Sequence, residues 1–407
     1  MRRLLAHRNA RLYLSGQVMS LFGDSALWLA MAIWIKILTG SSSAAGLSFF
    51  ALALGSLCGP LGGMLADKVR RRPLLIVTNL ATAALVLLLL LVGDRHQVWL
   101  IYVVMFGYGV SGSVLGPAQT ALVQAIVPAD LVGEANGALQ TAQQGLRLLT
   151  PLAGAGLFAA FGPAPVVIGD AATFLVAVAS LLAIGLQENR PAPSGQRWRA
   201  ELTAGARHIA RTVALRQLTI TAAVVVTAYG LSETVVFAVV SQGLHKPVPF
   251  LGILVSAQGV GAVAAGTVAA PLMRRLSEGL LAGLGMVSAA VGFLLLIASQ
   301  LPAVLAGSAL LGASLSWIIV GVMTLFQRRT PPELMGRTDA ALTIAYTVPQ
   351  TMAIALGAGL IAVLSYRILL LVIAGLMTLA AGYLVTRPEQ RRTAVTEVPE
   401  LAPAPVS

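Results

Sequence analysis

The sequence predicts an all-α membrane protein in which twelve transmembrane helices form two six-helix bundles related as parallel repeats. Three observations support this prediction: the composition, the lengths of the apolar runs, and an internal repeat. The chain is 57% hydrophobic and only 10% charged, which is far more apolar and less charged than a soluble domain. Most of its helices are therefore expected to lie in lipid.

Apolar runs long enough to cross a bilayer, about 20 residues each, occur twelve times. They span residues 11–38, 44–66, 73–93, 98–126, 133–160, 164–186, 217–243, 249–271, 278–298, 302–327, 338–364 and 367–386. If the spans alternate in direction, 22 of the 27 Lys and Arg residues lie on the side of the amino terminus, four lie on the other side, and Arg147 is inside a span. Because cationic loops stay in the cytoplasm, we expect a multi-pass protein of the cell membrane (inner or plasma) with both termini cytoplasmic. The net charge of +12 is interpreted as topology and not as a nucleic-acid-binding surface.

The domain boundaries follow from changes in composition. Residues 1–186 are predicted to form the N-terminal six-helix bundle and residues 217–386 the C-terminal one. The cytoplasmic linker, residues 187–216, begins with the polar run QENRPAPSGQRWR and continues as an amphipathic helix. Such a helix suits the surface of the cytoplasmic leaflet, and a simple covalent tether is the alternative. Residues 387–407 are predicted to be a disordered cytoplasmic tail.

The internal repeat has an offset of 203 residues. VPADLVGEANGAL from Val127 aligns with TPPELMGRTDAAL from Thr330, and GAGL at Gly154 aligns with GAGL at Gly357. The fifth span therefore corresponds to the eleventh, which points in the same direction. Two such halves with a site between them at the membrane midplane are typical of transporters in which one half rocks against the other.

The second span ends in GPLGGMLADKVRRRP, residues 59–73. Its order of Gly63, Asp67, Lys68 and further cations resembles the signature loop of the major facilitator superfamily, although Arg70 stands where that family usually has Gly. The runs PAQTALVQAIVPADLVGEANGAL, GDAATFLVAVASL, ELTAGARHIARTVALRQL and QRRTPPELMGRTDAAL together resemble the macrolide-efflux branch of the drug:proton antiporters. Proteins similar to the enterobactin exporter and the lysophospholipid flippase belong to the same branch. The resemblance implies the major facilitator fold and secondary transport, and it leaves the substrate open.

Ionisable residues inside the spans are candidates for proton coupling, because each costs about 2.5–3.5 kcal/mol in the membrane. Asp24 lies in the first span and Glu233 in the seventh, which hold equivalent places in the two halves and line the cavity in this superfamily. We expect them to carry protons; permanent pairing without titration is the alternative. Antiporters of this superfamily commonly have an Arg in the fourth span, where this chain has none; the resemblance implies that Arg147, in the fifth span, substitutes for it by pairing with Asp24. A locking ion pair without any role in coupling is the alternative. Asp170, in the sixth span, is the fourth proton-coupling candidate, and a structural role is its alternative.

The predicted substrate cavity is lined by polar and aromatic residues of the spans: Gln17, Trp28, Gln140, Gln143, Gln144, Tyr229 and Tyr346. Further aromatic residues at Phe50, Tyr108 and Trp317 could also stack on a drug. For each aromatic residue alone, packing in the core or against lipid is the alternative.

The predicted gate lies at the cytoplasmic end. In this superfamily the signature acid contacts the start of the eleventh helix, where free N–H groups favour negative charge. The resemblance therefore implies that Asp67 meets Gly336 and Arg337, and that nearby cations find acids of the other loops. The predicted gating residues are Gly63, Asp67, Lys68, Arg70, Arg71, Arg72, Gly336 and Arg337. That the cations merely set topology is the alternative.

Signals of enzymatic chemistry are missing, so we predict that the protein is not an enzyme and has no catalytic residues. No lysine follows the Gly pattern of a phosphate loop, and the scattered histidines do not suggest a metal site. The run GYGVSG, residues 107–112, lies inside an apolar span and is interpreted as a packing face and not as a dinucleotide site.

The predicted function is proton-coupled export of amphipathic small molecules such as antibiotics or natural products, by alternating access. The alternatives are a siderophore or lipid exporter of the same fold and a membrane sensor or assembly partner that does not transport. We expect no cofactor beyond the proton gradient. The expected partners are the substrate and the lipid bilayer, without nucleic acid, for a monomeric protein.

Overall fold

A computed structural model describes residues 2–128, 131–185, 198–331 and 334–391, apart from some side chains inside helices. The described residues form helices and no strand. The helices of the first half are α1 (Arg2–Ala6), α2 (Arg8–Thr39), α3 (Ser42–Ser56), α4 (Gly59–Lys68), α5 (Arg71–Leu87), α6 (Val98–Ile126), α7 (Val132–Phe161) and α8 (Pro163–Ala183). The predicted linker contains α9 (Trp198–Arg211).

The helices of the second half are α10 (Val213–Ala238), α11 (Leu251–Met273), α12 (Glu278–Leu296), α13 (Leu301–Arg329), α14 (Met335–Leu360), α15 (Tyr366–Thr386) and α16 (Pro388–Arg391). A π-helical turn, Val239–Gly243, extends α10. Ten helical segments among the described residues are long and apolar enough to cross a membrane. With α7 and the pair α3–α4, they account for the twelve predicted spans.

The second span differs from its prediction because it is broken. It ends as α3 at Ser56 and restarts as α4 at Gly59. Pro60, in the first turn of α4, has no N–H to donate to the carbonyl of the preceding turn, so a continuous helix would lose that bond. The small residues around the break let α3 approach α6 closely: the carbonyl of Phe106 lies 2.1 Å from where a Cβ of Gly55 would be.

The repeat extends over the whole membrane region. α6 and α13 begin and end 203 residues apart, and so do α8 and α15. Packing follows the same plan in both halves, since α2 contacts α7 and α8 while α10 contacts α14 and α15. Likewise α6 packs on α3 and α5, and α13 packs on α11 and α12. The predicted parallel repeat is therefore confirmed.

We call the end of the bundle that carries the amino terminus, α9 and α16 the basic end, and the other the opposite end. The two halves touch at the opposite end. Ser43 Oγ of α3 donates to the carbonyl of Ala358 in α14 at 2.5 Å, and a Cβ on Gly252 of α11 would lie 3.0 Å from the carbonyl of Pro151 in α7. Gly46 of α3 similarly faces Thr234 of α10.

At the basic end the halves are less closely joined. Among the described residues, α4 packs closely on α6 of its own half, and Gly63 and Gly336 have no atom within 4 Å of where a Cβ would be. Among the described residues, the halves therefore meet at the opposite end and lie apart at the basic end.

The linker helix α9 packs on protein. Its Ile209 is 8% exposed and lies in a cluster with Phe326 of α13 and Leu342 of α14. His208 Nε2 lies 3.2 Å from the carbonyl of Arg329. The apolar face that was expected to lie on the leaflet is thus turned, at Ile209, toward the C-terminal half. The side chains of Trp198 and Leu202, and the whole of residues 186–197, lie outside the described part of the chain.

The tail predicted from residue 387 begins with the short helix α16, in which Gln390 is 1% exposed. Its Nε2 donates to the carbonyl of Ala214, and its own carbonyl accepts a hydrogen bond from Ser277 Oγ. The start of the tail is therefore anchored among α10 and α12. Residues 392–407 are not among those described.

Candidate functional site

Asp24 lies in α2 and accepts a hydrogen bond from the hydroxyl of Tyr108 in α6, with 2.5 Å between the oxygen atoms. The ring of Tyr108 meets Phe174 of α8 edge-on, with centroids 5.9 Å apart. Asp24 and Tyr108 are both partly buried. Among the described residues, the polar partner of Asp24 is thus a tyrosine of its own half.

Asp170 of α8 lies beside the same point of α2. It is 2% exposed, and neither carboxyl oxygen has a hydrogen-bond partner. One oxygen would lie 2.4 Å from a Cβ on Gly23, so only a glycine fits there without a shift. The Tyr108 hydroxyl interacts electrostatically with Asp24 and Asp170, although only Asp24 meets the geometry of a hydrogen bond. The structure thus brings together two acids that the sequence placed in separate spans.

Two glycines of α2 explain how these acids come to be close. Gly16 faces Ser180 of α8, and Gly23, seven residues later on the same side of the helix, faces Asp170 and Thr173. A missing side chain at both positions lets the two helix backbones approach.

Glu233 of α10 is partly buried and has neither a hydrogen bond nor an ion pair with another described residue. The 203-residue offset pairs it with Ala30 and pairs Asp24 with Thr227. Glu233 therefore lies six residues further toward the opposite end than the counterpart of Asp24, about 9 Å along the helix.

An aromatic trio joins the two halves next to both acids. The ring of Trp28 in α2 lies 5.0 Å from that of Phe49 in α3, and Phe49 lies 6.0 Å from Phe237 in α10. Trp28 follows Asp24 by four residues, and Phe237 follows Glu233 by four, so each acid shares a helix face with one of these rings. Both acids lie one turn from the trio on the side of the basic end.

Sequence reasoning did not single out Phe49, Phe237 or the partnership of Tyr108 with the acids. A signal for Phe237 was available in its four-residue spacing from Glu233. Nothing in the sequence indicated which way Tyr108 points.

Other predicted cavity residues lie elsewhere. The hydroxyl of Tyr229 lies 2.5 Å from Ser314 Oγ and donates to the carbonyl of Leu311, so this side chain points into the C-terminal half. Gln17 lines a crevice between α2, α5, α6 and α8 within the N-terminal half. Tyr346 packs on the cluster around Ile209 near the basic end. The described contacts of these three side chains thus lie within one half each, and their role in a substrate cavity stays a prediction.

Four candidates lie on α7. Gln143 is partly buried, while the side chains of Gln140, Gln144 and Arg147 lie outside the described part of the structure. The backbone of α7 touches α2 where Gly154 meets Ala26. The expected pairing of Arg147 with Asp24 stays a prediction.

Of the predicted gate, the structure describes the cations. Lys68 and Arg70 are exposed, and Arg71 is partly buried. Arg72 donates through Nε and Nη2 to the carbonyls of Leu181 and Leu182, at the end of α8. The side chain of Asp67 is not among those described.

The expected receiving end of the gate is contacted by the linker. Gly336 and Arg337 are exposed at the start of α14, and a Cβ on Gly205 of α9 would lie 2.1 Å from the carbonyl of Arg337. Within the described residues, no three His, Cys, Asp or Glu side chains are grouped as metal ligands.

Comparisons with solved structures agree on the fold. A bacterial homologue of the iron transporter ferroportin in the inward-facing state has a TM-score of 0.70 at 16% identity, covering 94% of this chain and 98% of that one. The nucleoside transporter NupG has a TM-score of 0.74 at 11% identity, with 93% and 99% covered. A bacterial homologue of the human lysosomal transporter Spinster, inward-facing and unoccupied, has a TM-score of 0.68 at 12% identity, with 95% and 99% covered. At such identities the likeness concerns the fold alone.

Sequence comparison identifies the family. None of the curated proteins matches the chain directly. The sequence profile of the Major Facilitator Superfamily matches it over residues 13–245 and 218–407, which together include both halves and the linker. With its twelve spans, its repeated halves and this match, the chain belongs to the major facilitator superfamily of membrane transporters.

Proposed function

We propose that the protein exports amphipathic small molecules in exchange for protons, by alternating access between the two halves. One observation carries the proposal. Asp24 and Glu233 lie in different halves, each one turn from the aromatic trio that joins the halves, and neither acid pairs with a described cation. Such acids are expensive in a membrane unless they serve transport. Aromatic rings beside a carboxyl suit a ligand with an apolar body and a polar or cationic group.

The proposed orientation follows from charge. Cationic loops are retained in the cytoplasm, so the basic end and both termini face the cytoplasm of a cell membrane. The basic end then admits a substrate from the cytoplasm or from the inner leaflet. The protein works as a monomer, without a cofactor beyond the proton gradient.

The proposed cycle uses the two ends of the bundle alternately. To expose the site to the outside, the contacts of Ser43, Gly46 and Phe49 with the C-terminal half must separate. Asp67, with its neighbouring cations, then closes on the start of α14 at the basic end, where helix N–H groups favour an acid. Protons enter at Asp24 and Glu233 from outside and leave to the cytoplasm, while substrate moves in the opposite direction.

The energy available per proton is sufficient for drug export. Each proton contributes about 2.3 kcal/mol per 100 mV. A proton-motive force of roughly 150 mV would then support a substrate gradient of about 300-fold per proton.

The test is accumulation of macrolide, tetracycline, phenicol and cationic dye substrates in cells, with and without a protonophore. We expect wild-type cells to exclude at least one compound only while the gradient persists, and Asp24→Asn and Glu233→Gln each to lose this exclusion. Asp94→Asn is the matched control, because Asp94 is an exposed acid in a loop at the opposite end.

Three outcomes decide between the functions. Full gradient-driven export by Asp24→Asn or by Glu233→Gln would remove the substituted acid from the coupling scheme. Export of lipids or siderophores in place of the drug panel would favour the alternative exporter. Ligand binding to reconstituted protein without flux would favour a sensor.

A further inference from the structure

We propose that Asp24, Tyr108 and Asp170 form one proton-binding unit, in which the two carboxyls, without a hydrogen bond between them, together hold a single proton next to a tyrosine hydroxyl. In this unit Tyr108 and Asp170 are positioning residues that set the proton affinity of Asp24. The role of the unit in transport rests on the proposed function. Its proton binding is a property of the resting protein and can be measured without substrate.

The geometry of the three residues supports a shared proton. The Tyr108 hydroxyl donates to Asp24 at 2.5 Å, and Asp170 lies against the backbone of α2 at Gly23, the residue before Asp24. Both oxygens of Asp170 are buried and lack a hydrogen-bond partner. A buried carboxylate left without partners is far more costly than a carboxyl that holds a proton.

The groups around the unit offer no described counter-charge. α8 contributes Asp170 itself, α6 contributes Tyr108 and the more distant Tyr102, and α3 has no ionisable residue. On α10 the nearest acid is Glu233, which lies in the other half, across the aromatic trio from Asp24. Lys36, further along α2, donates to the carbonyl of Gly40 and to Ser42 at the opposite end.

Arg147 is the cation of α7 at a comparable depth. Its backbone lies seven residues, about 10 Å, toward the basic end from Gly154, which contacts Ala26 of α2. Because its side chain is outside the described residues, Arg147 forms a separate arm of the test.

Two carboxyls this close to one hydroxyl repel each other when both are charged. They are therefore expected to lose their protons in two separate steps that belong to the pair. Asp24 is partly buried, whereas Asp170 is buried. In this unit Asp170 keeps a proton available next to Asp24.

The experiment is an infrared titration of purified protein reconstituted in lipid, following the carbonyl band of protonated carboxyl groups. Glu233→Gln serves as the background, and the double variant Asp24→Asn, Asp170→Asn supplies the baseline to subtract. In the background protein we expect two titration steps. Adding Asp170→Asn or Asp24→Asn should in each case leave one step, which lies about one pH unit or more to the acid side of the alkaline step of the pair, because the repelling charge is gone.

Tyr108→Phe should shift the acidic step in the other direction. The hydroxyl stabilises charged Asp24 by donating to it, so its removal favours the protonated form. Opposite shifts from two neighbouring substitutions would not result from a merely structural role. The proposal is overturned if either single variant still titrates at the pH of the alkaline step of the background protein, or if Tyr108→Phe has no effect.

Two further arms keep the test decisive. If Asp170→Asn does not accumulate in membranes, Asp24→Asn provides the same comparison with Asp170 as the remaining acid. If Arg147→Gln shifts the titration toward alkaline pH while Asp170→Asn does nothing, Arg147 is the partner of Asp24 and the shared proton is wrong. No substrate or gradient is present, so this result is independent of whether the protein exports.

Discussion

At the scale of single residues, glycines bring helix backbones into contact at matching places in the two halves. A Cβ on Gly109 of α6 would lie 2.1 Å from the carbonyl oxygen of Leu52 in α3. A Cβ on Gly312, 203 residues later in α13, would lie 1.6 Å from the carbonyl oxygen of Gln258 in α11. The interpretation of the GYGVSG run as a packing face is thus confirmed at Gly109.

Replacing Gly109 should therefore destabilise the protein. Gly109→Ala forces α3 and α6 apart, and overpacking of this kind costs about 1–3 kcal/mol. Gly112→Ala is the matched control on the same helix, because Gly112 has no atom within 4 Å of its Cβ position, and it is expected to be neutral or slightly stabilising. The measurement is thermal unfolding of the detergent-solubilised protein. Equal unfolding temperatures for the two variants would contradict the close contact.

At the scale of elements, the linker helix α9 is the part whose place in the molecule differs most from the prediction. Amphipathic character alone does not distinguish a helix that lies on lipid from one that packs on protein, since both need an apolar face. Here Ile209 inserts between α13 and α14, and Gly205 lets α9 touch the start of α14. The linker thus lies on the same part of α14 that the proposed gate must reach.

Docking of α9 can be tested at Gly205. Gly205→Val places a side chain where the carbonyl of Arg337 lies, so α9 should leave α14 and be cleaved more readily by trypsin at Arg207 and Arg211, whose side chains are exposed. Ala206→Val is the control, because Ala206 is exposed and the added bulk has room. We expect cleavage to accelerate by about tenfold for Gly205→Val, consistent with a cost of about 1–3 kcal/mol. Similar cleavage rates in both variants would mean that α9 is not docked in solution.

At the scale of the whole molecule, the sequence predicted the helices and their repeat well. Spans in lipid are marked by their length and by flanking cations, which do not depend on how the helices pack. The 203-residue offset between Val127 and Thr330 also holds at the boundaries of α6, α8, α13 and α15, because the length and flanking charges of a span set those boundaries. Depth in the membrane was therefore predictable for Asp24 and Glu233.

The rotation of each helix about its axis was not predictable in the same way. Faces turned to lipid and faces turned to protein are both apolar in a membrane helix, so hydrophobic periodicity gives little direction. Tyr229 and Gln17 accordingly point into single halves, while Tyr108 meets two acids. The break between α3 and α4 had a local signal in Pro60, which the long apolar run obscured.

Rocking of two rigid halves predicts which cross-links stop transport. In a Cys58→Ser background, Ser43→Cys with Ala358→Cys joins α3 to α14 at the opposite end, where Ser43 Oγ now donates to the Ala358 carbonyl. Oxidation should cross-link this pair readily and abolish transport until a reductant is added, because the opposite end can no longer open. Thr82→Cys with Ser111→Cys is the matched control, since these hydroxyls are 2.7 Å apart within the N-terminal half. Its cross-link should leave transport nearly unchanged, and loss of transport in both pairs would argue that the halves deform internally during the cycle.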